Sequence, residues 1–105
     1  MKRKLGLLLA LPPSHESAAT VCGLAQAALT AGHEVYLYLI DEGVKNLSSP
    51  QYRQIAQSGA KVFACAYGCQ QHHVSTADLD PAISLSGLVV LSGIIDACEP
   101  FLSFT

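Results

Sequence analysis

The sequence predicts an α/β fold: one three-layer domain over residues 1–105, with a mostly parallel sheet and helices on both faces. Three observations carry that expectation. Sheet-favouring apolar runs alternate with helix-period runs in the order strand, helix, strand, helix, strand. The first run, Leu5 to Leu11, is continuously apolar, as a strand covered on both faces requires. The 105 residues, 50% hydrophobic and only 13% charged, suffice for one core and are too few for separate cofactor and substrate lobes.

Each element has its own local cause. Leu5–Leu11 reads as the first strand, closed by Pro12-Pro13. Met1-Lys2-Arg3-Lys4 ahead of it also has the make-up of a signal peptide's charged region. The apolar run is short for that role and no small-residue cleavage site follows, so the strand is preferred. Ser14-His15-Glu16-Ser17 offers N-cap chemistry for a helix from about Ser17 to Ala31, and Gly32 stops it at the C′ position. The helix carries Ala18, Ala19, Gly23, Ala25, Ala27 and Ala28, small enough to lie close to a sheet. Val35–Ile40 is the second strand, rich in sheet-favouring residues, and Asp41-Glu42-Gly43 ends it. Val44 to Pro50 is a polar stretch with no assigned element.

Gln51–Gln57 reads as a modest helix ending near Ser58-Gly59. Ala60–Ala64 is the third strand, with Cys65 at its C-terminal end. Ala66–Gln71 is a short helix, followed by His72-His73. Asp78–Pro81 is a turn or another short helical entry. Leu85–Ile95 is apolar with two Leu-Ser-Gly triplets and an ambiguous period, and Ala97–Phe104 is a closing strand with Pro100 at an edge or irregular start.

Composition excludes several functions. Six Lys and Arg, three of them at positions 2–4, cannot form the basic stripe that phosphate backbones need. With no Trp and 7% aromatic residues, a base-stacking platform is also unsupported. No run approaches the roughly 18 apolar residues of a membrane span, so the expected location is cytoplasmic. Charged residues usually make up roughly 25% of a soluble domain. Half that share leaves an apolar surface that closes against a partner, and an oligomer is expected. G-x-G-x-x-G, G-x-x-x-x-G-K-[ST] and G-x-S-x-G are all missing, and no organic cofactor is implied. Asp41-Glu42 and Asp78/Asp80 read as solvated loop carboxylates.

Open parallel sheets present ligands beyond the C-terminal strand ends, here Pro12–Glu16, Asp41–Lys45 and Cys65–His73. Cys65 is the most informative of these residues. Between a strand end and a helix start, its sulfur faces unpaired N–H groups that stabilise a thiolate, a nucleophile able to carry sulfur as a persulfide. The alternative is a buried small hydrophobe, and position alone does not separate the two. Cys69, His72 and His73 would share an arc of roughly 80–100° with Cys65 if the helix ran on. Two thiols and two imidazoles meet the zinc ligand list, but four ligands on one helix do not easily surround an ion, and no metal is assigned. A Cys65–Cys69 disulfide is a third reading, with Cα atoms about 6 Å apart but Cβ directions poorly aligned. Cys22 and Cys98 read as buried packing residues.

The chain also resembles a known family. Gly32-His33-Glu34-Val35-Tyr36-Leu37-Tyr38, then Asp41-Glu42-Gly43-Val44, is similar to the second-strand segment of DsrE-like proteins, including the TusD branch. Val62-Phe63-Ala64-Cys65 with a short helix to Val74 resembles the stretch bearing that family's sulfur-carrying cysteine. Leu85-Ser86-Gly87-Leu88, with Cys98 and Phe104 beyond, matches the C-terminal pattern. The resemblance implies a single DsrE-like domain of flavodoxin-like appearance. It further implies trimers or hexamers, homomeric or with sister subunits, and sulfur passed between donor and acceptor carrier proteins. The destination would be tRNA thiolation or sulfur oxidation, with no direct nucleic-acid contact. The active cysteine carries over to Cys65 alone, and a persulfide sulfurtransferase is the enzymatic form of this reading. Where members often have a basic pair and a glycine, this chain has Gln70-Gln71-His72-His73-Val74. Cys69 is also outside the family pattern; it would resolve a Cys65 persulfide into a disulfide, while His72 and His73 would position or protonate a leaving thiol. The alternative is a non-catalytic assembly or binding subunit, with the cysteines as packing residues or a weak Cys/His metal site.

Overall fold

The apolar run near the start of the chain becomes the centre of the sheet. In the computed structural model, which describes residues 2–105, β1 (Lys4–Leu9) lies between β2 (Glu34–Leu39) and β5 (Phe101–Phe104). β3 (Lys61–Cys65) and β4 (Ile83–Ser86) extend the sheet beyond β2, in the order β4-β3-β2-β1-β5. Every pairing between the five strands is parallel, so each connection must cross a face of the sheet. α1 (Glu16–Thr30) and α2 (Pro50–Gln57) make the crossings from β1 to β2 and from β2 to β3. α3 (Ala66–Gln71) follows β3 directly, and α4 (Leu88–Ala97) carries the chain from β4 back to β5. Right-handed crossovers put α1 and α2 on one face and α4, whose connection runs the opposite way, on the other. The three-layer α/β fold is the one expected.

Strand alternation then sorts the core. Leu7, Leu9, Val35, Leu37, Leu39, Val62 and Ala64 point toward α1 and α2, and none is more than 1% exposed. Val21 and Ala25 of α1 and Ile55 of α2 close over them, and the buried Tyr52 hydroxyl donates to the Ala18 carbonyl at 2.6 Å. The opposite face is thinner. Tyr36 and Phe63 stay half-buried there, and α4 buries Ile94 and ends on Cys98.

Several boundaries differ from the sequence expectation, each for a local reason. β1 ends at Leu9 rather than Leu11, ahead of Pro12-Pro13, and the Leu11 carbonyl accepts from Asn46 Nδ2 at 3.0 Å instead of from a strand. α1 is capped by a histidine: His15 Nδ1 accepts the Ser17 N–H at 3.0 Å. The stretch from Val44 on is not featureless, since Asp41–Ser48 forms a 3₁₀ helix. The ambiguous Leu85–Ile95 run divides at Gly87 into the end of β4 and the start of α4. Cys98 is the C-cap of α4 rather than a strand residue, and β5 begins only at Phe101.

The 3₁₀ helix positions everything at the C-terminal end of the sheet, and Gly43 lets it sit there. A Cβ at Gly43 would lie 1.9 Å from the Leu9 carbonyl oxygen, a backbone atom with no room to yield. Gly43→Ala is therefore expected to destabilise the fold by about 3 kcal/mol, the upper range for overpacking. Gly23, in mid-α1, gives the opposite sign, since a Cβ there would meet nothing within 4 Å. Gly23→Ala should stabilise by about 0.5–1 kcal/mol through helix propensity. Urea denaturation of the two variants checks both signs.

Candidate functional site

No residue separates β3 from α3. Cys65 is the last residue of the strand and the N-cap of the helix, and its Sγ accepts the Gly68 N–H at 3.4 Å. Alternation along β3 puts Lys61, Phe63 and Cys65 on the α4 side of the sheet. Cys65 is only 6% exposed, yet it lines a cavity of about 290 Å³ with Ile40, Asp41, Tyr67, Gly68, Gln71 and Leu88. The cavity sits beyond the C-terminal ends of β2 and β3, where an open parallel sheet presents its ligands. Two of the three strand-end segments singled out from the sequence meet here. The third, Pro12–Glu16, contributes no lining residue.

Three contacts hold this corner. Gly68 allows α3 to press onto the 3₁₀ helix: a Cβ there would come within 3.2 Å of Val44 Cγ1 and 3.3 Å of the Asp41 nitrogen. Asp41 adopts a left-handed backbone (φ +51), uncommon for a residue with a side chain. Its Oδ1 meets His72 Nε2 at 2.8 Å, so the strained start of the 3₁₀ helix is clasped to the end of α3. Below, the fully buried Tyr38 of β2 donates its hydroxyl to the Gly87 carbonyl at 3.0 Å, with the Ser86 carbonyl at 3.4 Å. Burial first, and the neighbouring Cys65 second, push the Tyr38 phenol up to about 12.

The arc of Cys65, Cys69, His72 and His73 that a longer helix would give does not form, because α3 stops at Gln71, as expected. His72 is its C-cap, and His73 turns away in a left-handed conformation (φ +55). His73 lines a different, larger cavity of about 510 Å³ that also includes Lys45, Arg53, Asp78 and Asp80. Cys69 is 2% exposed, and burial, reinforced by the nearby Cys65, pushes its thiol up. Among the described residues no group of three or more His, Cys, Asp or Glu side chains is gathered to hold a metal ion. All four cysteines are free, so Cys65 and Cys69 are not disulfide-bonded. Cys98 is buried against β1 as expected, whereas Cys22 is half-buried on α1 with its Sγ 4.0 Å from the Gln51 carbonyl. Asp41, read from the sequence as a solvated carboxylate, is exposed but committed to His72.

Sequence reasoning missed Tyr38 and the Asp41–His72 clasp. The signal for Tyr38 is the β2–β3 register, which pairs Tyr38 with Phe63 and leaves Cys65 as its diagonal neighbour. That register is invisible until the strands are paired. Around the cavity mouth, Tyr67, Leu88 and Val89 are 70%, 63% and 86% exposed, an apolar rim that runs onto α4. Among the described residues no helix is long and apolar enough to cross a membrane.

A family model described as the DsrE/DsrF-like family matches residues 3–104. A search of the curated proteins finds no match. Among solved structures, the YchN protein of E. coli superposes with a TM-score of 0.82 at 18% identity, covering 99% of this chain and 100% of its own. MTH1491 of Methanobacterium thermoautotrophicum, a protein of unknown function, gives 0.73 at 14% identity with 97% of each chain covered. BT1422 of Bacteroides thetaiotaomicron, also of unknown function, gives 0.69 at 18% identity, covering 97% of this chain and 95% of its own. These likenesses are of fold.

The thiol environments predict an order of reactivity. Burial pushes up the thiols of Cys22, Cys69 and Cys98, whereas Cys65 opens on a cavity and accepts an N–H. Iodoacetamide near neutral pH, read by peptide mass, should therefore label Cys65 ahead of the other three in the folded protein. Labelling of Cys22 first, as the most exposed sulfur, would contradict that order.

Proposed function

The chain belongs to the DsrE/DsrF-like family, and from that premise we propose that it is a sulfur-relay protein carrying sulfane sulfur as a persulfide on Cys65. One observation carries the reading. The Cys65 sulfur lines an open, mostly apolar cavity at a strand–helix junction and accepts a backbone N–H. The chemistry balances with that sulfur alone. The Cys65 thiolate attacks the outer sulfur of a donor persulfide, the donor's S–S bond breaks, and the donor leaves as a thiolate. An acceptor thiolate then attacks the outer sulfur on Cys65, and the Cys65 thiolate departs. Nucleophile and leaving group are the same atom, so whatever stabilises the Cys65 anion helps both halves.

Donor and acceptor are protein thiols in this reading, and a reducing, cytoplasmic setting suits four free cysteines. Cys69 acts as a slow resolving thiol. Its attack on the inner sulfur of the Cys65 persulfide would give a Cys65–Cys69 disulfide and release the outer sulfur as hydrogen sulfide. Its raised thiol keeps that loss slow near neutral pH. His72, clasped to Asp41, positions the end of α3 at the cavity. His73, on the other cavity, has no part in the transfer.

Copies of the chain associate through α4. The helix has no charged residue before Asp96, and Leu88, Val89, Val90 and Ile95 are all exposed. Burying such a face is the usual way a chain this poor in charge stays in solution. A second reading, a non-catalytic assembly subunit, draws on one observation: Cys65 is only 6% exposed while this apolar face is prominent.

Intact mass of the unreduced protein after treatment with a sulfide-derived persulfide donor separates the two. The relay reading expects a gain of sulfur that disappears with reductant and is absent in Cys65→Ser; Cys69→Ser should lengthen its lifetime. No gain in the wild type would leave the assembly role. Val89→Asp, which sets a carboxylate on the apolar face, should dissociate the oligomer in analytical ultracentrifugation without unfolding it. An unchanged mass distribution would move the interface elsewhere.

A further inference from the structure

We propose that the Tyr38 hydroxyl is the hydrogen-bond donor to anionic Cys65, turning from the Gly87 carbonyl to the sulfur when the thiol loses its proton. This rests on the reading of Cys65 as the sulfur-bearing nucleophile.

The cavity sets the problem. An anion on Cys65 would form in a largely apolar pocket whose lining residues include no Lys, Arg or His. The titratable groups around it are Tyr38 on β2, Asp41 at the start of the 3₁₀ helix, and Tyr67 and Cys69 on α3. β4 and the first turn of α4 bring none. Asp41 on the cavity rim is bonded to His72, whose ring lies outside the lining, so no cationic side chain lines the cavity. An unpaired charge in such surroundings is costly, and only dipoles are at hand. The Gly68 N–H is one, at 3.4 Å from Sγ.

The sheet register supplies the other. Tyr38 pairs with Phe63, and Cys65 pairs with Ser86, so Tyr38 and Cys65 are diagonal neighbours on the same face. A tyrosine reaches across such a diagonal. Its hydroxyl ends between the Ser86 and Gly87 carbonyls, beside the strand partner of Cys65. The phenol is fully buried and titrates well above neutrality, so it keeps its single proton throughout. In the neutral state that proton is donated to the Gly87 carbonyl. Once the thiol proton leaves to solvent through the cavity, rotation about the Tyr38 C–O bond brings the hydroxyl proton onto the sulfur. The Gly87 carbonyl is not stranded, because it also accepts the Val90 N–H at 3.3 Å.

The test is the pH dependence of Cys65 alkylation by iodoacetamide in the full chain, read by peptide mass. Tyr38→Phe should move the midpoint to higher pH by about one unit, a tenfold loss of rate below it, as expected for removing a hydrogen bond to a charged group. Tyr36→Phe, on the same strand face but bonded to Glu34 and Lys61, should leave the midpoint in place. A folded Tyr38→Phe with an unmoved midpoint would overturn the proposal. If that variant fails to fold, 3-fluorotyrosine at position 38 decides: its more acidic hydroxyl should move the midpoint to lower pH, and no movement overturns the proposal. Alkylation does not depend on sulfur transfer. A midpoint that moves in a protein that takes up no sulfur would sink the relay and keep the Tyr38–Cys65 pair; the reverse pattern would do the opposite.

Discussion

The organisation of this molecule depends on one junction, the passage from β3 to α3 through Cys65 with no intervening loop. A strand that turns directly into a helix leaves its last residue holding two jobs. The Cys65 backbone finishes the pairing with Ser86, while its side chain takes the Gly68 N–H that would otherwise be orphaned. Such a turn is stable only if the helix is pressed down from outside. That is what the 3₁₀ helix does: Gly43 lets it sit on the end of β1, Gly68 lets α3 sit on it, and the Asp41–His72 pair closes the far end. The left-handed backbone at Asp41 persists because the surroundings fix it on both sides.

The two faces of the sheet are unequal, and the inequality has consequences for chemistry. Over β1, β2 and β3 the α1–α2 face is saturated, with alternating Leu, Val and Ala at essentially zero exposure. The α4 face carries Tyr36, Tyr38, Phe63 and Cys65 under a single helix that turns much of its own apolar surface outward. A reactive thiol on the saturated face would be inert packing. On the thin face it lies next to an opening and beside surface suited to a partner. The first eight residues of α4 carry no charge.

Much of this is legible in the sequence, and the legible parts share a cause. Elements whose signal is local come out close to their true bounds. Gly32 ends α1 with φ +86, Gln51–Gln57 gains only Pro50 at its start, and Ala66–Gln71 matches α3 residue for residue. Cys65 stands out because a strand end followed by a helix start is written in adjacent residues. What escapes depends on contacts far apart in the chain. The 3₁₀ helix is held by Asn46 reaching back to Leu11, 35 residues away. The ambiguous Leu85–Ile95 run divides at Gly87 because β4 is needed only for four pairs with β3. Tyr38 reads as one more sheet residue until its hydroxyl is seen 49 residues on, at the Gly87 carbonyl. The separation of the histidine pair is also non-local: His72 is held by Asp41, 31 residues earlier, while His73 turns away with a left-handed backbone.

In the proposed relay, stabilising the Cys65 anion by dipoles rather than by a cation would suit an atom that has both to attack and to depart. A fixed positive charge beside a thiolate lowers its basicity, and intrinsic nucleophilicity falls with basicity. It would also hold the sulfur in one charge state, whereas the proposed relay runs through thiolate, neutral or anionic persulfide, and thiolate again. A hydroxyl that can leave a carbonyl for the sulfur responds only when charge is present, and returns when it is gone. The Gly87 carbonyl, shared with the Val90 N–H, loses little in the exchange. Such a donor has to be buried, so that water does not compete for its proton, and anchored by its ring in a strand, so that its reach is set by register and not by a flexible side chain. Position 38 meets both conditions: the side chain is fully buried, and β2 is paired along both edges, to β1 and to β3.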